Sequence, residues 1–456
     1  MSIRRIFIAN RGEIAARIVR TCRTLGIETV LATSEADRDS MPARLATRAI
    51  CIGPARASDS YLRAETLLQA ARGTGCDAIH PGYGFLSERA SFARLCEQNE
   101  MIFIGPTSAQ LEAVGDKLRA RAEAVAAGVP VAPGSAAATV DEARAIAQRT
   151  GYPILVKAVA GGGGRGMKRV DRAAELDAAL ALAAAEAGAA FGDARVYVER
   201  YVTRGRHVEV QVLGDGAGGV IHLGERDCSV QRRYQKLIEE TPAPGLAPQT
   251  RSRLHEAAVR LATRLNYRGA GTVEFLVDAV TQEFFFLEMN ARIQVEHPVT
   301  EAVTGVDLVA EQIAIAAGQG LRIAQPQLRA SGWALELRVN AEDPQRDFAP
   351  SPGVVSEARW PAGAGIRVDT HIESGCHVPP FYDSLLGKVI ASGADRAAAL
   401  ERARQALADT RIRGVSTNLA LHARVLADAE FGAGGVDTGY LARLLERDLA
   451  GALRHG

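Results

Sequence analysis

From Leu287 to Glu296 the chain alternates. Leu287, Met289, Ala291, Ile293 and Val295 are apolar, whereas Glu288, Asn290, Arg292, Gln294 and Glu296 are polar. A period of two sends successive side chains to opposite faces, so the stretch predicts an extended segment with two unlike sides. The plain reading is a half-buried strand with a solvated face. Yet the polar row consists of carboxylates, amides and a guanidinium, groups able to hold a metal ion and an anion together.

The first hundred residues repeat a strand followed by a helix. Residues 3–9, 29–32 and 78–80 read as strands, and 12–25, 64–72 and 91–98 carry apolar residues at helical spacing. This pattern predicts an α/β fold that opens with a Rossmann-like parallel sheet. Functional loops in such sheets follow the carboxyl ends of strands. Two candidates stand there, Asn10-Arg11-Gly12-Glu13 and the run HPGYGFLSE from His80 to Glu88.

A helix opens after Gly115-Asp116-Lys117. Residues 131–202 then read as a small mobile lid, with helices over 140–149 and 173–190 and strands over 153–157, 167–170 and 196–202. Inside it runs GGGGRG, Gly161 to Gly166. Glycines let backbone N–H groups approach an anion. With a strand entering at Lys157 and another leaving at Met167, the run predicts a phosphate-covering flap. No Gly-Lys-Ser/Thr follows it, so it is not a Walker loop, nor does it match the dinucleotide fingerprint.

Beyond residue 203 strands predominate. Residues 206–212 alternate and pair with 220–223 across Gly214-Asp215-Gly216. The stretch 225–240, which holds Lys236, is so densely charged that a solvated helix is its plain reading. Residues 271–277 and 283–289 form a hairpin in which Glu274 faces Glu288. With Asn290 they make an all-oxygen set suited to Mg²⁺ or Mn²⁺. Residues 333–340 alternate again and place Arg338 on a polar face. Together the pattern predicts an N-terminal domain over 1–115, a central region over 116–330 with its lid, and a mixed α+β C-terminal domain over 331–456.

Composition narrows the function. A chain of 456 residues, 47% hydrophobic, holds two to four domains. Its net charge of +1 and lack of long basic runs predict no nucleic-acid partner. No apolar stretch approaches the roughly 18 residues of a membrane span, so a cytoplasmic, membrane-free protein is expected. Six scattered cysteines without a CxxC pair predict neither disulfides nor a zinc site. Only five of the 54 basic residues are lysines, namely Lys117, Lys157, Lys168, Lys236 and Lys388. A lysine retained among so many arginines is a candidate for a compact point contact to phosphate.

The ordered set IANRGEIA, IHPGYGFLSE, GGGGRGM, RHVEVQV, ERDCSVQRR, GTVEF, LEMNARIQVEHPVTE and RVNAED resembles the biotin carboxylase family, whose central region is an ATP-grasp fold. The resemblance runs from about Ile3 to Leu444. It implies ATP-dependent carboxylation of biotin by bicarbonate, the first half-reaction of a biotin-dependent carboxylase, commonly acetyl-CoA carboxylase of fatty acid biosynthesis. In similar enzymes residues matching Lys117, Lys157, Gly162, Gly163, Gly164 and Gly166 hold ATP phosphates, those matching Glu199 and Val202 hold adenine, and His207 and Gln231 lie along the nucleotide. Glu274, Glu288 and Asn290 match positions around two Mg²⁺ or Mn²⁺ ions. Lys236, Arg292, Gln294 and Val295 match the bicarbonate pocket and Glu296 its base, while Arg338 and Tyr83 match the biotin contacts.

The resemblance assigns Lys168 and Lys388 no catalytic part. It implies a separate biotin carboxyl carrier protein and carboxyltransferase as partners, since the chain has no Met-Lys-Met carrier site, and a homodimer. Tyr234 stands where the family usually has histidine, and Thr24 and Ala364 where an acid and an aromatic are familiar at the dimer contact. The rival reading is another ATP-grasp ligase that makes an acyl phosphate. A non-catalytic nucleotide-binding subunit is a further alternative, disfavoured by Glu296, Arg338 and Lys236 together.

Overall fold

A computed structural model of the chain describes residues 3–137, 139–159 and 167–455. The N-terminal part is a five-stranded parallel sheet built from β1 (Arg5–Ile8), β2 (Glu28–Ser34), β3 (Arg48–Gly53), β4 (Ala78–His80) and β5 (Ile102–Phe103), in the order β3-β2-β1-β4-β5. Both faces are covered, as all-parallel sheets require. Ile6 and Ile8 enter one apolar cluster with Ile14 and Ile18 of the helix Gly12–Thr24, while Phe7 enters another with Leu67 and Phe92. Strand β3 carries too few buried apolar positions to stand out in the sequence pattern.

Strands β1 and β4 are neighbours, so the loops that follow them meet. Asn10 Nδ2 donates to the carbonyls of Pro81 and Tyr83, both at 2.7 Å. Gly82 lies directly beneath, at φ 63°, where a Cβ would come within 2.8 Å of that amide nitrogen. Only glycine accepts both the left-handed backbone and the close approach.

The stretch read as a lid holds a four-stranded sheet of β6 (Gly134–Ala137), β7 (Ile154–Ala158), β8 (Met167–Val170) and β9 (Val196–Arg200), ordered β6-β9-β7-β8 and backed by the helices Val140–Thr150 and Leu176–Phe191. The helix Val140–Thr150 starts on a capping box, Thr139 with Glu142. Gly162, Gly163, Gly164 and Gly166 of the predicted flap lie outside the described residues.

The central element is an eight-stranded antiparallel sheet. It contains β10 (Gly205–Asp215), β11 (Val220–Arg232), β12 (Gln235–Thr241), β13 (Arg268–Asp278), β14 (Phe284–Asn290), β15 (Trp333–Asn340) and the strands Leu385–Gly393 and Ile366–Thr370. Their order is β14-β13-β10-β11-β12-β15, then Leu385–Gly393 and Ile366–Thr370. The sheet therefore runs unbroken through residue 330, from the central region into the C-terminal part.

The stretch 225–240 is not a solvated helix. It is a hairpin of β11 and β12, turned at Arg233 and Tyr234, both left-handed with φ 48° and 66°. Residues 225–231 are buried despite their charges because those charges are paired inside the sheet.

Candidate active site

Sheet register puts the charges abreast. Glu288 on β14 faces Glu274 on β13, Glu274 faces Glu209 on β10, and Glu209 faces Arg226 on β11. Three carboxylates side by side on one sheet face repel one another, and two cations offset them. Arg226, fully buried, donates to Glu209 Oε1 at 2.6 Å, Gln211 at 2.8 Å, Thr300 at 2.9 Å and Thr272 at 3.1 Å. Lys236 reaches over from β12 and donates to Glu209 Oε2 at 2.5 Å, Glu274 Oε1 at 2.9 Å and Glu296 Oε1 at 2.7 Å.

Glu296 sits where these groups converge. The alternating stretch stays extended only to Asn290; it then bends, and Glu296 is the residue just before the helix His297–Thr304, its side chain free of any capping bond. Within the polar row Asn290, Gln294 and Glu296 are buried, with Gln294 3% exposed, while Glu288 and Arg292 are half-buried, so the row is not a solvated strand face. Glu296 itself is 0% exposed. Its Oε1 accepts from Lys236, and its Oε2 accepts from Arg338 Nη2 at 2.8 Å. Arg338, on β15, also donates from Nε to Glu239 at 2.6 Å. Burial pushes the Glu296 carboxyl up, but Lys236, Arg338 and Arg226 overcome it and hold the group well below its ordinary value, as a carboxylate. Burial and the nearby Glu296 charge push Glu239 up to about 7.

Arg292 is fixed by the loop after β4. Its Nε donates to Glu88 Oε2 at 2.9 Å, while Glu88 Oε1 accepts from the Ala291 amide at 2.9 Å. The remaining guanidinium nitrogens donate to Asn290 Oδ1 at 2.9 Å and Gln294 Oε1 at 2.7 Å. Gln294 Nε2 and Asn290 Nδ2 in turn donate to Glu274 Oε1, at 3.1 and 2.8 Å, and His207 Nε2 lies 2.8 Å from Glu274 Oε2.

Both Glu274 oxygens thus carry a partner, three on Oε1 and one on Oε2. Glu288 differs, for its carboxylate accepts no hydrogen bond from the described residues, and burial together with Glu274 raises its pKa. An uncompensated carboxylate opposite another, beside an amide oxygen, fits a hard divalent cation.

Of the expected nucleotide residues, Lys117 lies on a helix and Lys157 and Glu199 on the four-stranded sheet. Lys117 starts the helix Lys117–Ala126 and feels the charges of Glu288, Lys157 and Glu199; burial and Lys157 lower its pKa. Lys157 on β7 forms an ion pair with Glu199 on β9. Val202 and Gln231 are buried, and Gln231 pairs in register with Lys236. Tyr234, in the adjoining turn, is 55% exposed. Tyr83 makes its hydroxyl contact with Glu13.

Several residues of this centre are given no role by the sequence: Glu209, Arg226, Glu239, Glu88, Cys228 and Lys388. The thiol of Cys228 lies 3.9 Å from Glu296 Oε1. Lys388 is fully buried and donates to the Val295 carbonyl at 2.7 Å. The scarcity of lysine was the available signal for it, and the alternation His207, Glu209, Gln211 was the signal for Glu209.

Three family models match the chain end to end. They are Biotin carboxylase, N-terminal domain over residues 2–111; Carbamoyl-phosphate synthase L chain, ATP binding domain over 116–324; and Biotin carboxylase C-terminal domain over 336–443. The chain is 50% identical to a biotin carboxylase of Pseudomonas aeruginosa over 449 residues, covering 98% of this chain and 99% of that one. A crystal structure of a Campylobacter jejuni biotin carboxylase in complex with β-γ-ATP superposes with a TM-score of 0.94 at 44% identity, covering 97% and 99% of the two chains. The biotin carboxylase domain dimer of Hydrogenobacter thermophilus 2-oxoglutarate carboxylase, in complex with MgADP, ADP and bicarbonate, also gives 0.94 at 44% identity, covering 97% and 98%.

Proposed function

The chain belongs to the biotin carboxylase family and is an ATP-dependent biotin carboxylase, and we propose that the centre around Glu296 carries out its reaction. Bicarbonate lies against Lys236, Arg292, Gln294 and the backbone of Val295. Glu296 takes its proton, and the bicarbonate oxygen attacks the γ-phosphorus of ATP, releasing ADP and forming carboxyphosphate. This breaks down to CO₂ and phosphate. The phosphate takes the N–H proton of biotin, and the biotin nitrogen attacks CO₂ while Arg338, with Tyr83 beside it, stabilises the enolate oxygen. Lys117, Lys157, Glu199, Val202, His207 and Gln231 position the nucleotide, joined by the flap Gly162, Gly163, Gly164 and Gly166. Glu274, Glu288 and Asn290 would hold Mg²⁺ or Mn²⁺, and such an ion would supply positive charge to offset that of the phosphoryl group.

The observation that carries this reading is Glu296, fully buried with one oxygen on Lys236 and the other on Arg338. The same pairs that keep the carboxylate ionised make it a weak base. When bicarbonate and biotin draw Lys236 and Arg338 towards their own oxygens, Glu296 loses stabilisation and its proton affinity rises, so the base is activated where substrate is bound. Fixed cations in a site closed to water stabilise the developing charge without reorganising.

Biotin is presented on a carrier protein, and a carboxyltransferase consumes the carboxybiotin, in an acetyl-CoA or related carboxylase. A homodimer belongs to the same proposal, supported by the Hydrogenobacter thermophilus domain described as a dimer. The test is ADP release with free biotin. It should require bicarbonate and a divalent ion and rise with biotin. Release that ignores bicarbonate would refute the assignment.

A further inference from the structure

The bend that carries the base is fixed at two successive carbonyls. His297 Nδ1 lies 2.7 Å from the Gln294 carbonyl, and Lys388 Nζ donates to the Val295 carbonyl at 2.7 Å. The second contact acts on the peptide unit joining Val295 to Glu296, and so sets the direction in which the Glu296 side chain leaves the backbone. Lys388 is 0% exposed and projects from the strand Leu385–Gly393, where it is in register with Arg338 on β15.

The ammonium of Lys388 has a second partner, Glu13 Oε1, at 3.0 Å. Glu13 lies in the first turn of the helix Gly12–Thr24 and is 2% exposed. The same Oε1 accepts the hydroxyl of Tyr83, from the loop after β4. A continuous chain therefore runs from Tyr83 through Glu13 and Lys388 to the peptide of Val295. It links the N-terminal loops, the C-terminal strand and the base.

A buried lysine needs a carboxylate, and a buried carboxylate needs a cation. Each member of this pair is held in place by the other. A change at Tyr83 alters what Glu13 offers Lys388, and hence how firmly Lys388 holds the Val295 carbonyl.

We propose that Lys388 and Glu13 are positioning residues for Glu296, and that the Tyr83–Glu13–Lys388–Val295 chain couples occupation of the biotin side of the site to the placement of the base. The inference rests on the assignment of Glu296 and Tyr83 made above. Neither Lys388 nor Glu13 touches the reacting atoms; both act through the backbone of the bend.

The experiment compares wild type with K388M/E13Q, a double variant that removes both charges of the Lys388–Glu13 pair together. Its ADP affinity should stay within twofold, since none of the proposed nucleotide residues touches the chain. Its kcat for bicarbonate-dependent, biotin-stimulated ADP release should fall about 100-fold, the scale of a base misplaced by about 1 Å. The ratio of biotin-stimulated to biotin-independent release should fall about tenfold, and K388R should recover part of both. A wild-type kcat and ratio in the double variant would overturn the inference, as would an ADP affinity that falls in step with kcat.

Hydrogen exchange over residues 293–298 separates this claim from the assignment of the reaction. Exchange at least tenfold faster in the double variant supports the positional claim. Unchanged exchange refutes it whatever the activity. A wild-type chain without bicarbonate-dependent release refutes the parent assignment, and the coupling with it.

Discussion

Replacing Glu296 by glutamine tests the centre most directly. The side chain is fully buried and makes two charged contacts, Oε1 to Lys236 at 2.7 Å and Oε2 to Arg338 at 2.8 Å. In Glu296→Gln one of these oxygens becomes an NH₂ group facing a donor, so one contact is lost. Neither cation is left unpaired, because Lys236 keeps Glu209 and Glu274 and Arg338 keeps Glu239. The fold should therefore survive. What disappears is the proton acceptor. General-base catalysis contributes roughly 10²- to 10⁴-fold, or about 3–5.5 kcal/mol of barrier at about 1.36 kcal/mol per factor of ten. The expected result is a loss of bicarbonate-dependent ADP release in that range, measured with a coupled assay at saturating biotin. ADP affinity, measured by titration calorimetry, should be unchanged because Lys117, Lys157 and Glu199 make no contact with Glu296. Turnover within threefold of wild type would refute the assignment of the base.

Other outcomes follow from the same geometry. Arg338→Ala should reduce biotin carboxylation by about 10²- to 10³-fold, with a smaller loss of biotin-independent ATP cleavage; equal losses would place the arginine in the first step instead. Glu288→Gln should raise the Mg²⁺ concentration for half-maximal turnover about tenfold or more, and an unchanged Mg²⁺ titration would remove Glu288 from the metal set. Glu239 titrates at about 7, above its ordinary 4.5. The stability it contributes is thus fully present below pH 4.5 and lost as the pH rises through about 7. Glu239→Gln cannot ionise, so its thermal stability relative to wild type should rise between pH 5 and pH 8; a pH-independent difference would contradict this.

Local pattern exposed what is local. The hairpin that brings Glu274 to Glu288 has two apolar-rich strands and a short turn, and the observed pairing of Glu274 with Glu288 matches that reading. The parallel N-terminal sheet was legible for the same reason. The stretch 225–240 was not legible. Its charges read as solvated, whereas Arg226 finds partners on three other elements, at Glu209, Thr272 and Thr300. The bend after Asn290 was equally hidden. It is held by Glu88 on Arg292, 204 positions away, and by Lys388 on Val295, 93 positions away. A two-residue period reports which face a side chain occupies, but not that a distant carboxylate or ammonium will end the strand.

The unbroken eight-stranded sheet also limits how the chain can be divided. Strand β12, which delivers Lys236, is bonded on its far side to β15, Ile238 to Leu337 and Thr241 to Ala334. A truncation near residue 330 would strip that partner away and leave β12 as a naked edge, a row of unpaired N–H and C=O groups that invites strand addition by another molecule. The same cut would expose Ile238 and Leu237, which share an apolar cluster with Leu335, Leu337 and Val389. A shortened chain should aggregate before it loses nucleotide binding. The C-terminal strands and the strand that carries Lys236 therefore stand or fall together, whereas residues 134–200 have a four-stranded sheet and an apolar cluster of their own.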